Sequence, residues 1–122
     1  MLLLTLKSYW TLARFHVYLG RGDLKALFDK VRSCVVDTAP FRSIQDICLA
    51  IDIACISYPK VVLCLQRSAA TTYLLKRNGI RAQLVVGARP MPFRSHAWVE
   101  VDGMVVNDKP YVNEIYPVLD RF

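Results

Sequence analysis

The sequence predicts an α+β fold, with N-terminal helices packed on a small antiparallel sheet. Three observations carry that expectation. Apolar residues recur at helical spacing as far as Asn78-Gly79. After that point the chain alternates or runs apolar in short strand-length blocks. An Asp102-Gly103 pair then joins two of those blocks as a hairpin turn does. At 122 residues with 54% hydrophobic content, the chain is long enough for one core and unusually apolar for its size. It reads as a single domain, 1–122: a helical region (1–40), a core (41–110) and a tail (111–122).

The first helix precedes Gly20-Arg21-Gly22. Its apolar face is read as Leu3, Leu6, Trp10, Ala13 and Val17, opposite Lys7, Thr11, Arg14 and Tyr18. Such a face can cover the core, a partner or a membrane surface, and core packing is the reading adopted. Lys7 and Arg14 interrupt the greasy start, so a membrane span or signal peptide is not expected. Asp23 caps a second helix through Leu24, Leu27, Phe28 and Val31. A polar stretch ending at Pro40 separates it from a third helix, opened by Ser43. That helix carries Ile44, Ile47, Cys48, Ile51, Cys55 and Tyr58 on one stripe. Leu49, Ile53 and Ile56 make it apolar nearly all round, which predicts a central position, and Pro59 ends it.

A fourth helix runs from Cys64 to a left-handed cap at Asn78-Gly79. Residues 81–88 read as a buried strand, Pro90 and Pro92 as a rigid loop carrying Phe93 and Arg94, and residues 96–101 and 104–108 as two further strands. The tail holds Tyr111, Tyr116 and Phe122 and either adds a strand or wraps the surface.

Charge and cysteine usage narrow the function. The net charge of +6 favours acidic partners. The basic residues are scattered, with no run of five and no interleaved aromatic platform, so no nucleic-acid partner is expected. Cys34, Cys48, Cys55 and Cys64 form no C-x-x-C pair and have no histidine at ligand spacing, so neither a zinc site nor any other metal or cofactor is expected. Cys48 and Cys55 lie on one apolar stripe as buried free thiols do, pointing to a reducing, cytoplasmic compartment.

Cys64 differs. It opens a helix whose first turn supplies partial positive charge for a thiolate. The polar residues Gln66, Arg67 and Ser68 suggest that this helix start faces solvent or a ligand. Gln66 and the backbone N–H of Cys64 or Leu65 are candidate oxyanion donors. His96 begins a strand on which His96, Trp98 and Glu100 alternate with the core-like Ala97, Val99 and Val101. The first set reads as a site wall, with Trp98 and Phe93 as candidate groove residues. His16 receives no role. Asp102 is explained by its turn, leaving Asp108 to orient His96. A strict two-residue turn would put Asp108 on the wrong face, so this assignment expects a bulged three-residue loop. Asn107 is the fallback.

C-L-Q-R-S at a helix start, G-I-R-A-Q-L-V-V-G, H-A-W-V-E-V-D-G and V-V-N-D together resemble the transglutaminase-like (papain-like) cysteine protease domain of lasso-peptide biosynthesis. The resemblance covers roughly residues 40 to 110. It implies Cys64 as nucleophile, His96 as general base and Asp108 as its orienter. It further implies a precursor peptide as substrate, with leader removal as the reaction, and a separate cyclase for ring closure. At this length the stand-alone form is expected, working with a separate leader-recognition protein. That protein, the peptide, the cyclase or a second copy in a homodimer would then cover part of the apolar surface. A transglutaminase-like amidase or acyltransferase, and a non-catalytic peptide-binding module, are the rival readings.

Overall fold

A computed structural model describes residues 2–37 and 42–122. Its helices are α1 (Leu2–Gly20), α2 (Leu24–Ser33), α3 (Ile44–Ser57), α4 (Cys64–Arg77) and α5 (Val112–Ile115). Its strands are β1 (Ala82–Arg89), β2 (Arg94–Val101), β3 (Met104–Val105) and β4 (Val118–Arg121). The sheet runs β3-β2-β1-β4 with every pairing antiparallel. The fold is therefore α+β, and α4 is the helix that packs on β1 and β2, while α1 and α3 pack on α4. The break ending at Pro40 lies outside the described residues.

Local signals behave as their chemistry requires. Asp23 accepts from Ala26 N at 3.1 Å and Ser43 from Asp46 N at 3.1 Å, satisfying helix-start donors. Gly79 takes φ +83° behind α4, where Gly79 N and Ile80 N reach back to the carbonyls of Lys76 and Leu75. Asp102 and Gly103 both have positive φ in a two-residue turn. The tail does two things: it forms α5, then adds β4 beside β1. Phe122 stacks on Phe28 at 4.1 Å, tying the tail to α2.

The buried face of α1 and the position of α3 differ from the sequence expectation, although Ile47 and Ile51 of the expected α3 stripe are buried. On α1 the buried side is Leu4, Ser8, Thr11, Leu12 and Phe15, whereas Leu3, Leu6, Trp10 and Val17 are exposed. Ser8 Oγ donates to Leu4 O at 2.8 Å and Thr11 Oγ1 to Lys7 O at 2.7 Å. Both hydroxyls are thus satisfied within their own helix, and their small size lets neighbouring helices approach. On α3 the small Ala50 and Ala54 join Ile47 and Ile51 inside, while Leu49, Ile53 and Ile56 face out, Ile56 at 85% exposure. The helix is peripheral rather than central. In both cases close packing of small residues against a neighbour outweighs the burial of larger ones.

The sheet buries both faces. Leu84, Val86, Ala97, Val99 and Val101 meet the helices. Val85 and Trp98 lie on the other side under Val112, Tyr116 and Val118 of the tail. No helix among the described residues is long and apolar enough to cross a membrane.

Candidate active site

Leu63 occupies the N-cap of α4 and offers no side-chain cap. The first intrahelical bond runs from Arg67 N to Leu63 O, so the N–H groups of Cys64, Leu65 and Gln66 have no partner within the helix. Cys64 is exposed at this end and makes no hydrogen bond among the described residues. A thiol there meets the positive end of a 14-residue helix. The other cysteines are half-buried, and burial pushes the thiols of Cys34, Cys48 and Cys55 up. No disulfide is formed.

One turn into α4, Ser68 Oγ donates to Ala97 O at 3.1 Å and accepts from Asn107 Nδ2 at 3.1 Å. Asn107 Oδ1 accepts from Val99 N at 2.8 Å. This brace ties the helix that begins with Cys64 to the strand that carries His96 and the segment that carries Asp108. The sequence reading missed it. Its only signal there was a serine four residues after Cys64 and an asparagine beside the candidate aspartate.

His96 Nε2 and Asp108 Oδ2 lie 2.6 Å apart. Burial works to raise the Asp108 pKa, but the hydrogen bond from His96, the Lys109 N–H and the charges of His96 and Arg67 outweigh it and hold the carboxyl below its ordinary 3.8. An ionised carboxylate only accepts, so Nε2 carries a proton, and Nδ1 is the nitrogen that can serve as the base when the ring is neutral. The ring of Tyr116 lies 5.1 Å from that of His96, and Trp98 flanks it at 6.2 Å.

Asp108 reaches His96 without the expected bulge. The hairpin keeps strict register, Val101 opposite Met104 and Glu100 opposite Val105. The last ladder-like bond is Val106 N to Val99 O. Beyond it the Asn107 side chain takes the place of backbone pairing, and the chain leaves the ladder there. Asp108 is thereby freed from the alternation of faces that would have turned it away.

Three further expectations need correction. Gln66 is 1% exposed and donates from Nε2 to Leu12 O at 2.9 Å, so it joins α4 to α1 and is not an oxyanion donor. Arg67 pairs with Asp52 at 2.8 Å at the surface, while Gln66 and Ser68 are buried, so the polar residues of this helix start serve as ties between elements. Trp98 is fully buried and donates from Nε1 to Glu100 Oε2 at 2.9 Å. Glu100 also receives Arg121 Nε at 3.3 Å. Only His96 on that strand face opens to a site, and Trp98 lines no groove. Phe93 is 74% exposed in the β1–β2 loop, and the Leu65 N–H remains an unpaired donor beside Cys64.

Two expected outcomes arise from this geometry. Gln66→Leu should destabilise the domain by about 1–3 kcal/mol through the lost bond to Leu12, with the rate per folded molecule unchanged. Chemical denaturation beside an activity assay checks this, and a rate loss in fully folded protein would restore the oxyanion role. For Asp108, the unfolded chain takes up the proton first as pH falls. Its stabilising effect is complete above about pH 4 and declines as pH drops through the lower folded value. Asp108→Asn should flatten that acid limb of a stability–pH curve; an unchanged limb would mean the carboxylate is not coupled to folding.

Among the described residues no group of three histidine, cysteine, aspartate or glutamate side chains is placed to hold a metal. A family model described as transglutaminase-like superfamily matches residues 2–120. The microcin J25-processing protein McjB of Escherichia coli is 45% identical over 56 residues, which make up 46% of this chain and 27% of that protein. The matched stretch thus spans about a quarter of the relative's length. No solved structure matches.

Proposed function

We propose, from the premise that the chain belongs to the transglutaminase-like superfamily, that it is a cysteine peptidase that removes the leader from a ribosomally made lasso-peptide precursor. The single observation that carries this reading is the brace. Through Ser68 and Asn107 it ties the helix that starts with an exposed, uncapped Cys64 to a His96–Asp108 pair. Similarity to a microcin J25-processing protein supports the choice of substrate class.

In the reaction, Cys64 thiolate attacks the carbonyl at the leader–core junction. The N–H groups of Cys64 and Leu65 receive the developing oxyanion. His96, protonated at Nδ1 by the thiol and held at Nε2 by Asp108, passes its proton to the departing amine as the C–N bond breaks. Water then gives a proton to Nδ1 and attacks the thioester, which releases the leader as a carboxylic acid and returns the thiol. Oriented groups and oxyanion donors each contribute several kcal/mol to such a step. Phe93, exposed beside the strand of His96, lines the substrate groove in this reading. The precursor is delivered by a separate leader-recognition protein, and a separate cyclase closes the ring. All of this takes place in the cytoplasm.

Mass spectrometry of the precursor incubated with this protein and its leader-recognition partner tests the reaction. The expected result is a single cut whose two fragments sum to precursor plus water. An added amine incorporated in place of water would shift the assignment to an acyltransferase. An uncut precursor, together with a Cys64 inert to alkylation in folded protein, would leave a peptide-binding module.

A further inference from the structure

The last turn of α4 and one side of α1 enclose a cleft of about 420 Å³ whose lining includes Lys7, Trp10, Arg14, Asp37, Tyr73 and Arg77. It lies at the end of α4 opposite Cys64, about 20 Å along the helix at 1.5 Å per residue. Arg77 complements the negative end of the α4 dipole and Arg14 is held against Tyr73, whereas Lys7 is exposed on α1 with no such role. Arg14 Nη1 donates to Tyr73 Oη at 3.1 Å, and its guanidinium lies 5.6 Å from the centre of the Tyr73 ring. Lys30 lies 5.8 Å from the same ring. Asp37 is the single carboxylate among the described lining residues. Converging cations repel one another and lower their energy when an anion enters.

An apolar strip adjoins these charges. Trp10, 71% exposed, stands at the cleft, and Leu6 and Leu3 continue from it along the outer side of α1. Exposed tryptophan and arginine beside aliphatic side chains is the composition of an interface centre rather than of ordinary solvated surface.

We infer that this cleft docks an acidic segment of a polypeptide partner, with carboxylates between Lys7, Arg14 and Arg77 and a bulky apolar side chain against Trp10. A polypeptide fits better than an anionic membrane, because the cations line a concavity that a flat lipid surface does not enter. Nothing in this inference depends on the chemistry at Cys64, and every step of its test can be run in the Cys64→Ala protein.

The chain has two tryptophans, and Trp98 is fully buried, so acrylamide quenching reports on Trp10. The probes are a short synthetic peptide of glutamate, leucine and phenylalanine, its lysine-for-glutamate counterpart, and vesicles of phosphatidylcholine with phosphatidylglycerol. The acidic peptide should shield Trp10, with affinity that falls as salt is raised. Affinity should drop about tenfold or more in Lys7→Glu/Arg77→Glu, a variant that changes two exposed side chains. A retained cooperative unfolding transition and unchanged alkylation of Cys48 and Cys55 verify its fold. The inference is overturned if the basic peptide binds equally well, if only vesicles shield Trp10, if neither does, or if charge reversal leaves affinity intact.

Discussion

Cys64→Ala should reduce precursor cleavage by roughly 10⁴-fold or more, because a covalent mechanism has no substitute for its nucleophile. The same variant should unfold within a few degrees of wild type. Its side chain is exposed and makes no hydrogen bond among the described residues, so the change removes almost no packing. The other cysteines sharpen the test. Cys48 and Cys55 are partly buried and their thiols are pushed up, by burial above all. Cys48 Sγ also contacts Val106 O at 3.7 Å, close to the point where the chain leaves the β2–β3 ladder. Cys48→Ala and Cys55→Ala should therefore lower stability modestly while retaining turnover, and iodoacetamide should label Cys64 first. Equal loss of turnover from either variant, in folded protein, would sink the assignment of one nucleophile.

Gly87→Ala should be the most damaging single-methyl change in the sheet, costing about 2–4 kcal/mol and lowering the melting temperature by roughly 10 °C. An added Cβ would stand 2.7 Å from Trp98 Cη2, 2.8 Å from Tyr116 O and 2.9 Å from Pro117 O. Two of those atoms are backbone and the third belongs to a fully buried ring, so none can swing aside. Gly87 lies opposite His96 in the β1–β2 ladder. The tail displaced by the new methyl carries Tyr116, whose ring flanks the imidazole. Activity per folded molecule should accordingly fall as well as stability. Gly20→Ala is the control: nothing lies within 4 Å of its would-be Cβ, and alanine favours the helix it ends. Comparable melting temperatures for the two variants would show that the tail does not need the close approach at Gly87.

Much of the candidate site was legible because its signals are local. A cysteine opening a polar helix turn, a histidine opening a strand and an aspartate shortly after an Asp-Gly turn are each visible within a few residues. What was not legible depended on partners far along the chain. Gln66 looked available until Leu12, 54 residues away, claimed its amide. Trp98 looked like a groove wall until α5 and the residues after it covered it. Asp108 was paired with His96 in the sequence reading by way of a bulge, whereas the structure achieves the pairing by breaking the ladder, with Asn107 bonded to Ser68 and Val99.

By itself, the sequence determined the α+β class, the caps at Asp23 and Ser43, the left-handed stop at Gly79 and the tight turn at Asp102-Gly103. Those outcomes follow from sterics and hydrogen bonds between near neighbours, which any context leaves in force. Tertiary structure alone decided which of two apolar faces of α1 is buried, that α3 is peripheral, and that the tail closes over Trp98. Burial is a competition between faces for a neighbouring surface, and close packing of small residues such as Ser8, Thr11, Ala50 and Ala54 can win over larger side chains left in solvent. Periodicity records that two faces exist, and only the assembled neighbours choose between them.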